Sequence, residues 1–345
     1  MKNEASKTFD CPIVWIEIDR KIPRYLWSAS RLSGEFSPGR KQFIVTNLKA
    51  NLKSVPTRKS DNVEIVYLQE PERLRKVKNH IKSTSKHLKQ NTFWINTISR
   101  FFYLFEFAVK NDVEQLVHLE SDNVLINSHA INDIFQNEDF EIAYPIQAEG
   151  IGCASIFLQK SKKGTLNFLE YIESAETDTF KDDMQLLGEY ASKGFAVKVL
   201  NSNLSHQKPS KVIFDAQYFG KFFFGTDARN LRWPFSNRGI SDFRRVDYAP
   251  LQIPQKFHLR REQDKSVLQL LGNFEGAEIV NIHFHGKKIP SNFKTFEKAL
   301  RESLLPRVVF IWKLGKFDLI VFLERLHGFT FRRIRISKQS DLRLR

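Results

Sequence analysis

Gln115-Leu-Val-His-Leu-Glu120-Ser121-Asp122-Asn123-Val-Leu-Ile126 carries an apolar run that stops on two carboxylates, one residue apart, before apolar residues resume at Val124. The run 115–119 predicts a buried strand. In an α/β sheet, carboxylates at the carboxyl end of a strand sit in the crevice where such folds bind ligands. Two hard oxygen donors held there suit a divalent cation such as Mg²⁺ or Mn²⁺, and such a cation in turn holds phosphate oxygens. An ordinary polar strand end is the competing reading.

Upstream of that run, Ile98, Phe101, Phe102, Phe105 and Ala108 recur at helical spacing, which predicts an amphipathic helix over 96–110 packed on a sheet. Residues 72–90 read as a polar, lysine-rich helix. Three strands precede it: Cys11–Ile18, Gln42–Thr46 and Val63–Leu68. A helix starts near Pro23, in keeping with proline at a first helical position. Downstream come a helix at roughly 128–136, strands Glu141–Tyr144 and Cys153–Gln159, and a helical pair over 165–193 broken by the polar segment 176–183. Strands follow at Phe195–Leu200 and Glu278–Phe284, with an aromatic, loop-rich region between them from Phe214 to Pro234. Strands alternating with helices imply an α/β fold with a mostly parallel sheet flanked by helices.

The chain has 345 residues, 41% of them hydrophobic and 31 of them Phe, enough for a well-filled core rather than disorder. Cys11 and Cys153 cannot form a disulfide framework and read as small core residues, pointing to a reducing compartment. No apolar leader opens the sequence and no run approaches membrane-spanning length, so a cytoplasmic location is expected. Lys plus Arg exceed Asp plus Glu by 54 to 39, a net +15 that favours an anionic partner: a phosphorylated ligand, an acidic membrane surface or nucleic acid. No RRM, zinc-finger or KH pattern supports nucleic acid, and none is expected as a partner.

Glu-x-Asp is a recurrent pattern here, as at Glu17/Asp19, Glu120/Asp122 and Glu176/Asp178. The third lies in a polar segment, and the first follows a strand without downstream support for a metal. The second alone combines an aromatic helix, a buried strand and apolar residues on both sides. The block Arg100-Phe-Phe-Tyr103 with Val117-His-Leu-Glu-Ser-Asp-Asn-Val-Leu125 resembles the DxD region of GT-A-fold, nucleotide-sugar-dependent glycosyltransferases. The likeness runs over roughly 10–290, mainly as an order of elements. It implies a Rossmann-like catalytic domain over 1–300, with a nucleotide-binding half at about 10–127 and an acceptor half at about 128–300. It further implies Mn²⁺ or Mg²⁺ bound by Asp122 and Glu120, and a UDP-sugar donor. The first acid is Glu120 where the family has Asp, so Asp122 is the firmer metal ligand and Glu120 binds ribose or reaches the metal through water.

Asn281-Ile-His283-Phe-His285-Gly286-Lys287-Lys288-Ile-Pro290 is the second anchor. His283 and His285 lie two apart and so share a face of a strand. The segment is similar to the late His-x-x-Gly motif of some of these enzymes, whose His completes the metal shell and whose Lys meets the diphosphate. His283, Gly286 and Lys287 or Lys288 match in type, while the Lys-Pro-Trp ending is Ile289-Pro290 here. By the same likeness, Arg100 points to the donor crevice, where a guanidinium suits phosphate; a surface or capping arginine is the alternative. Asp183, then Asp182, is the expected catalytic carboxylate, against an acidic helix N-terminus favoured by the dipole. Asp215 and Tyr218 are expected to bind a glycan or lipid-linked acceptor.

Residues 301–345 form a basic, amphipathic extension. From Arg325 onward it holds seven basic residues against one acid, Asp341. Such a segment suits peripheral contact with an anionic membrane, with a disordered or partner-binding tail as the alternative. Two function classes stand against the transferase: a catalytically silent relative that binds or scaffolds, and a nucleic-acid-binding protein.

Overall fold

The computed structural model describes residues 11–53, 63–84, 92–175, 181–202, 211–216, 219–220, 256–262, 265–271, 277–284, 287 and 289–303. Strand β1 (Ile13–Ile16) leads to helix α1 (Arg24–Phe36), then β2 (Gln42–Thr46), β3 (Val63–Tyr67), α2 (Glu72–Thr84) and α3 (Thr92–Lys110). β4 (Leu116–Leu119), β5 (Asn123–Leu125) and α4 (Ser128–Asn137) follow. The middle of the chain supplies β6 (Ile142–Ala148), β7 (Ile151–Gly152), β8 (Ile156–Gln159), α5 (Lys162–Ser174), α6 (Asp183–Ser192) and β9 (Val197–Leu200). The last described elements are β10 (Val212–Ile213), β11 (Lys256–Glu262), β12 (Lys265–Leu271), β13 (Glu278–Ile279), β14 (Asn281–His283) and α7 (Phe293–Ser303).

The main sheet has eight strands in the order β3-β2-β1-β4-β8-β6-β7, with β9 paired to β6. β3, β2, β1 and β4 are parallel, so their carboxyl ends share one edge. β8 runs antiparallel between β4 and β6, and β9 is parallel to β6. The sheet is therefore mostly parallel, with antiparallel strands confined to its β8 and β7 positions. β10, β13, β12 and β11 make a second sheet, and β14 pairs with β5 in a third.

Alternation along the strands builds two cores. Val14 and Leu116 join Phe101, Phe102, Phe107, Phe157 and Phe168 beneath α3 and α5. Ile13, Trp15, Val117 and Leu119 face the opposite side with Leu26, Ile131 and Phe135. Each of these fully buried large side chains contributes about 1.5–3 kcal/mol relative to exposure, which explains why α3 tolerates so aromatic a composition. A third cluster packs α7 on α1, with the Phe36 and Phe296 rings 5.5 Å apart and edge-on.

Several expectations are adjusted by the structure. Phe105 is only half-buried, and Phe107 and Leu104 take the core positions on α3. The expected strand over 278–284 is two strands in different sheets. Val280, between them, accepts backbone N–H groups from both Ile126 and Asn127. The β11–β12 hairpin, paired from Lys256↔Leu271 to Glu262↔Lys265, was not anticipated. Cys11 and Cys153 are buried thiols that share no disulfide, as expected. Among the described residues, no helix is long and apolar enough to cross a membrane. The basic tail from Arg325 lies outside the described residues.

Candidate functional site

At the end of β4 the chain turns sharply: Glu120 N–H donates to the Ser155 carbonyl at 3.1 Å, and Asn123 N–H to the Glu120 carbonyl at 2.9 Å. β5 then runs antiparallel to β14, with His283 opposite Asn123 and Asn281 opposite Leu125. Phe284 N–H closes the pair on the Asp122 carbonyl at 2.7 Å. This register carries a histidine from the far end of the domain to the two acids.

His283 Nε2 lies 3.2 Å from Glu120 Oε2 and 3.3 Å from Asp122 Oδ1. One ligand atom from each of the three side chains falls within 4.8 Å of the others. The other ring nitrogen, Nδ1, is 2.9 Å from the Ala216 carbonyl, which can only accept. Nδ1 therefore carries the hydrogen, and in the neutral ring the Nε2 lone pair faces the carboxylates. A ring nitrogen anchored on a backbone carbonyl is the usual arrangement of a metal-ligating histidine. Two carboxylate oxygens and one imidazole nitrogen make a partial shell for a divalent cation, leaving positions for oxygens of a ligand. The residues present fit the metal that the sequence implied.

The electrostatics agree. Burial alone would lower the His283 pKa, but the Asp122 and Glu120 charges outweigh it and raise it well above its ordinary value. Burial would raise both acids, yet Arg100 and His283 hold Glu120 low, and His283 and Lys287 hold Asp122 low.

Arg100 is buried and bridges two of the expected residues. Its Nη1 donates to Glu120 Oε1 and its Nη2 to Asp183 Oδ2, each at 2.5 Å, while Nε donates to the Thr97 carbonyl at 2.7 Å. The surface-arginine alternative is thereby removed. Glu120 uses one oxygen for Arg100 and turns the other to the triad. Asp183 opens α6 and is almost fully buried; burial, opposed by Arg100, raises its pKa. Asp182 is the N-cap of α6, with its carboxylate accepting from Gln185 N–H and the Gln185 side chain accepting from Asp182 N–H. That reciprocal pair is a capping box, so the carboxylate of Asp182 is engaged in the helix start.

Asp215 departs from expectation. It is fully buried, and its carboxylate accepts backbone N–H groups from Phe219, Gly220 and His283 at 3.0, 2.8 and 3.0 Å. A buried carboxylate engaged by three backbone N–H groups differs from the acceptor contact expected of it. Tyr218, His285, Gly286 and Lys288 lie outside the described residues. Lys287 has a left-handed backbone, φ 54°, and donates its N–H to the Phe284 carbonyl. Its Nζ sits 5.3 Å from the Tyr25 ring centroid, and its charge reaches both Asp122 and Glu17. Glu17 itself is buried and paired with Arg20.

Sequence reasoning missed Asn123, Asn281 and Ala216. Asn281 Nδ2 donates to Asn123 Oδ1 at 3.1 Å and to the Asp215 carbonyl at 3.0 Å, and Asn281 Oδ1 accepts from Asp215 N–H at 3.1 Å. The only available signal was that Asn281 shares a strand face with His283. Ala216 acts through its carbonyl, which no side-chain pattern reports.

No family model matches this chain, and no curated protein does. Among solved structures it is similar to the galactosyltransferase LgtC in complex with donor and acceptor sugar analogues. Identity there is 17% and the TM-score 0.39, covering 55% of this chain and 73% of that one. It is also similar to the glycosyltransferase GlyE of Streptococcus pneumoniae TIGR4, at 13% identity and TM-score 0.36, covering 55% and 45%. The WbbM bifunctional glycosyltransferase matches at 13% identity and TM-score 0.41, covering 88% of this chain and 51% of that one. These three solved structures are glycosyltransferases.

Proposed function

We propose that this chain is a metal-dependent glycosyltransferase, moving a sugar from a nucleotide-diphosphate donor to a glycan or lipid-linked acceptor. The observation that carries the proposal is the convergence of Glu120 Oε2, Asp122 Oδ1 and the oriented His283 Nε2 at the carboxyl edge of a parallel sheet. A cation held there neutralises a leaving diphosphate, the main electrostatic demand of glycosyl transfer. In this reading Mn²⁺ or Mg²⁺ is the cation, a UDP-sugar is the donor, and Lys287 contributes charge beside Asp122. Gly286 and Lys288 extend that phosphate contact. Arg100 tethers Glu120 and stands at the donor crevice. Asp183 serves as the catalytic carboxylate, and the acceptor half comprises about 128–300. The tail over 301–345 approaches an anionic membrane.

One observation favours a second reading, a silent protein that binds the nucleotide without transfer: Asp183, the expected base, is buried and tied to Arg100. A thermal-shift series with UDP, with and without Mn²⁺, followed by donor-hydrolysis assays on UDP-sugars, tests both. Mn²⁺-dependent stabilisation with donor turnover is the expected result. Stabilisation without turnover selects the silent protein, and no stabilisation by any nucleotide diphosphate removes the donor site.

A further inference from the structure

We propose that Asp215 is the positioning residue of the Glu120–Asp122–His283 centre, holding the His283 backbone, and through it the imidazole, where Nε2 meets the two carboxylates. The inference rests on reading that centre as a cation site.

Asp215 and Ala216 grip His283 at two separate points. Asp215 Oδ2 accepts the His283 N–H at 3.0 Å, and the next residue's carbonyl accepts the His283 Nδ1–H at 2.9 Å. Backbone and ring are thus fixed by adjacent residues of one short segment, which sets both the position of the ring and its tautomer. The segment is itself clamped. Asn281 holds the Asp215 N–H and carbonyl, Ser155 Oγ donates to the same carbonyl at 3.1 Å, and Cys153 Sγ donates to Ala216 O at 3.2 Å. Gly220 completes the fit, since a Cβ there would overlap the His283 carbonyl.

The chemistry of the group matters as well as its place. Among the described residues, the hydrogen bonds to the Asp215 carboxylate come from backbone N–H groups and not from a side-chain cation. An isosteric amide has a single acceptor oxygen and turns an NH₂ donor toward N–H groups, so it loses at least one of the three bonds. It also removes a negative charge set directly behind a metal-ligating histidine. Outer-shell partners of this kind tune metal affinity by roughly tenfold to a hundredfold.

The test is calorimetric titration of the full chain with MnCl₂ alone, together with Mn²⁺ electron paramagnetic resonance. Asp215→Asn is compared with wild type, with Asp122→Asn, and with Asn127→Ala, which removes the N-cap of α4 and serves as a stability control. The expected result is an Asp215→Asn protein that remains folded, binds Mn²⁺ roughly tenfold or more weakly, and shows an altered spectrum. Asn127→Ala is expected to lose melting temperature without losing affinity. Wild-type affinity and spectrum in Asp215→Asn overturn the positioning role while the cation site stands. An equal loss of affinity in Asn127→Ala also overturns it, because destabilisation alone would then account for the effect. Absence of Mn²⁺ binding in wild type, or full binding in Asp122→Asn, overturns the reading of the centre itself.

Discussion

Arg100 Nη2 and Asp183 Oδ2 lie 2.5 Å apart, and the same guanidinium holds Glu120, so one buried cation ties the start of α6 to the end of β4. Removing it strands two carboxylates in a low-dielectric interior. Breaking a buried pair from one side costs about 3–5 kcal/mol, whereas exposed pairs are worth about 0–1 kcal/mol. Arg100→Met is therefore expected to lose several kcal/mol in denaturant unfolding. Arg100→Lys keeps the charge but not the planar fork, and should fall between. Arg100→Met combined with Asp183→Leu should recover part of the loss, because one stranded charge is gone. A loss below about 1 kcal/mol for Arg100→Met contradicts the arrangement.

His118 provides a pH signature independent of any metal. It is 1% exposed, donates Nδ1–H to the Val14 carbonyl at 3.0 Å, and has no partner for Nε2 among the described residues. Burial, reinforced by the Arg100 charge, pushes its pKa down to about 4 from an ordinary 6.5. The folded protein thus binds this proton less readily than the unfolded chain does. The associated stability is complete above pH 6.5 and is lost as pH falls through the window toward 4. At about 1.4 kcal/mol per pH unit, the loss amounts to about 3 kcal/mol. Denaturant unfolding of wild type should weaken by that amount across the window, while His118→Gln should show a flatter curve. Identical curves would mean that His118 is not buried in its neutral form.

Asp122→Asn separates metal binding from folding. Asp122 holds β14 through its backbone carbonyl, which the substitution leaves in place. Its side chain faces His283, so the variant should fold yet lose Mn²⁺-dependent stabilisation by UDP. A ligand at a hundredfold excess over its Kd stabilises by about 2.7 kcal/mol, which is the scale of the melting shift expected to vanish. Loss of far-UV circular dichroism in the variant would instead assign Asp122 a structural role.

Much of the fold before Glu120 is legible because parallel strands buried on both faces read as unbroken apolar runs. Gln42–Thr46 matches its strand residue for residue, and the run before Glu120 matches β4 to within one residue. The acid pair is legible for the same reason, since polar groups interrupt an apolar pattern. His283 is legible as a type but not as a position. What places it is a three-residue strand pairing with β5, and strands that short leave no periodicity. Asp215 was misread because aromatic neighbours and glycines suggest a sugar-binding loop, and nothing in the composition reveals that backbone N–H groups fill its carboxylate. Arg100 was expected at the crevice, but its bond to Asp183 depends on how α3 packs against α6, a tertiary fact with no local trace.

Gly220 tests the tight contact between its own backbone and β14. Its N–H donates to Asp215 Oδ2 at 2.8 Å, and a side chain there would run into the His283 carbonyl, which is backbone and cannot swing away. Overpacking of this kind costs typically about 1–3 kcal/mol. Gly220→Ala is therefore expected to lower stability within that range, and to move β14 enough to separate Nε2 of His283 from Asp122. Amide hydrogen exchange should report faster opening at Ile282 and His283 while α3 and α5 stay protected. Unchanged protection at β14 with an unchanged unfolding midpoint would show that the two segments are not in contact at this point.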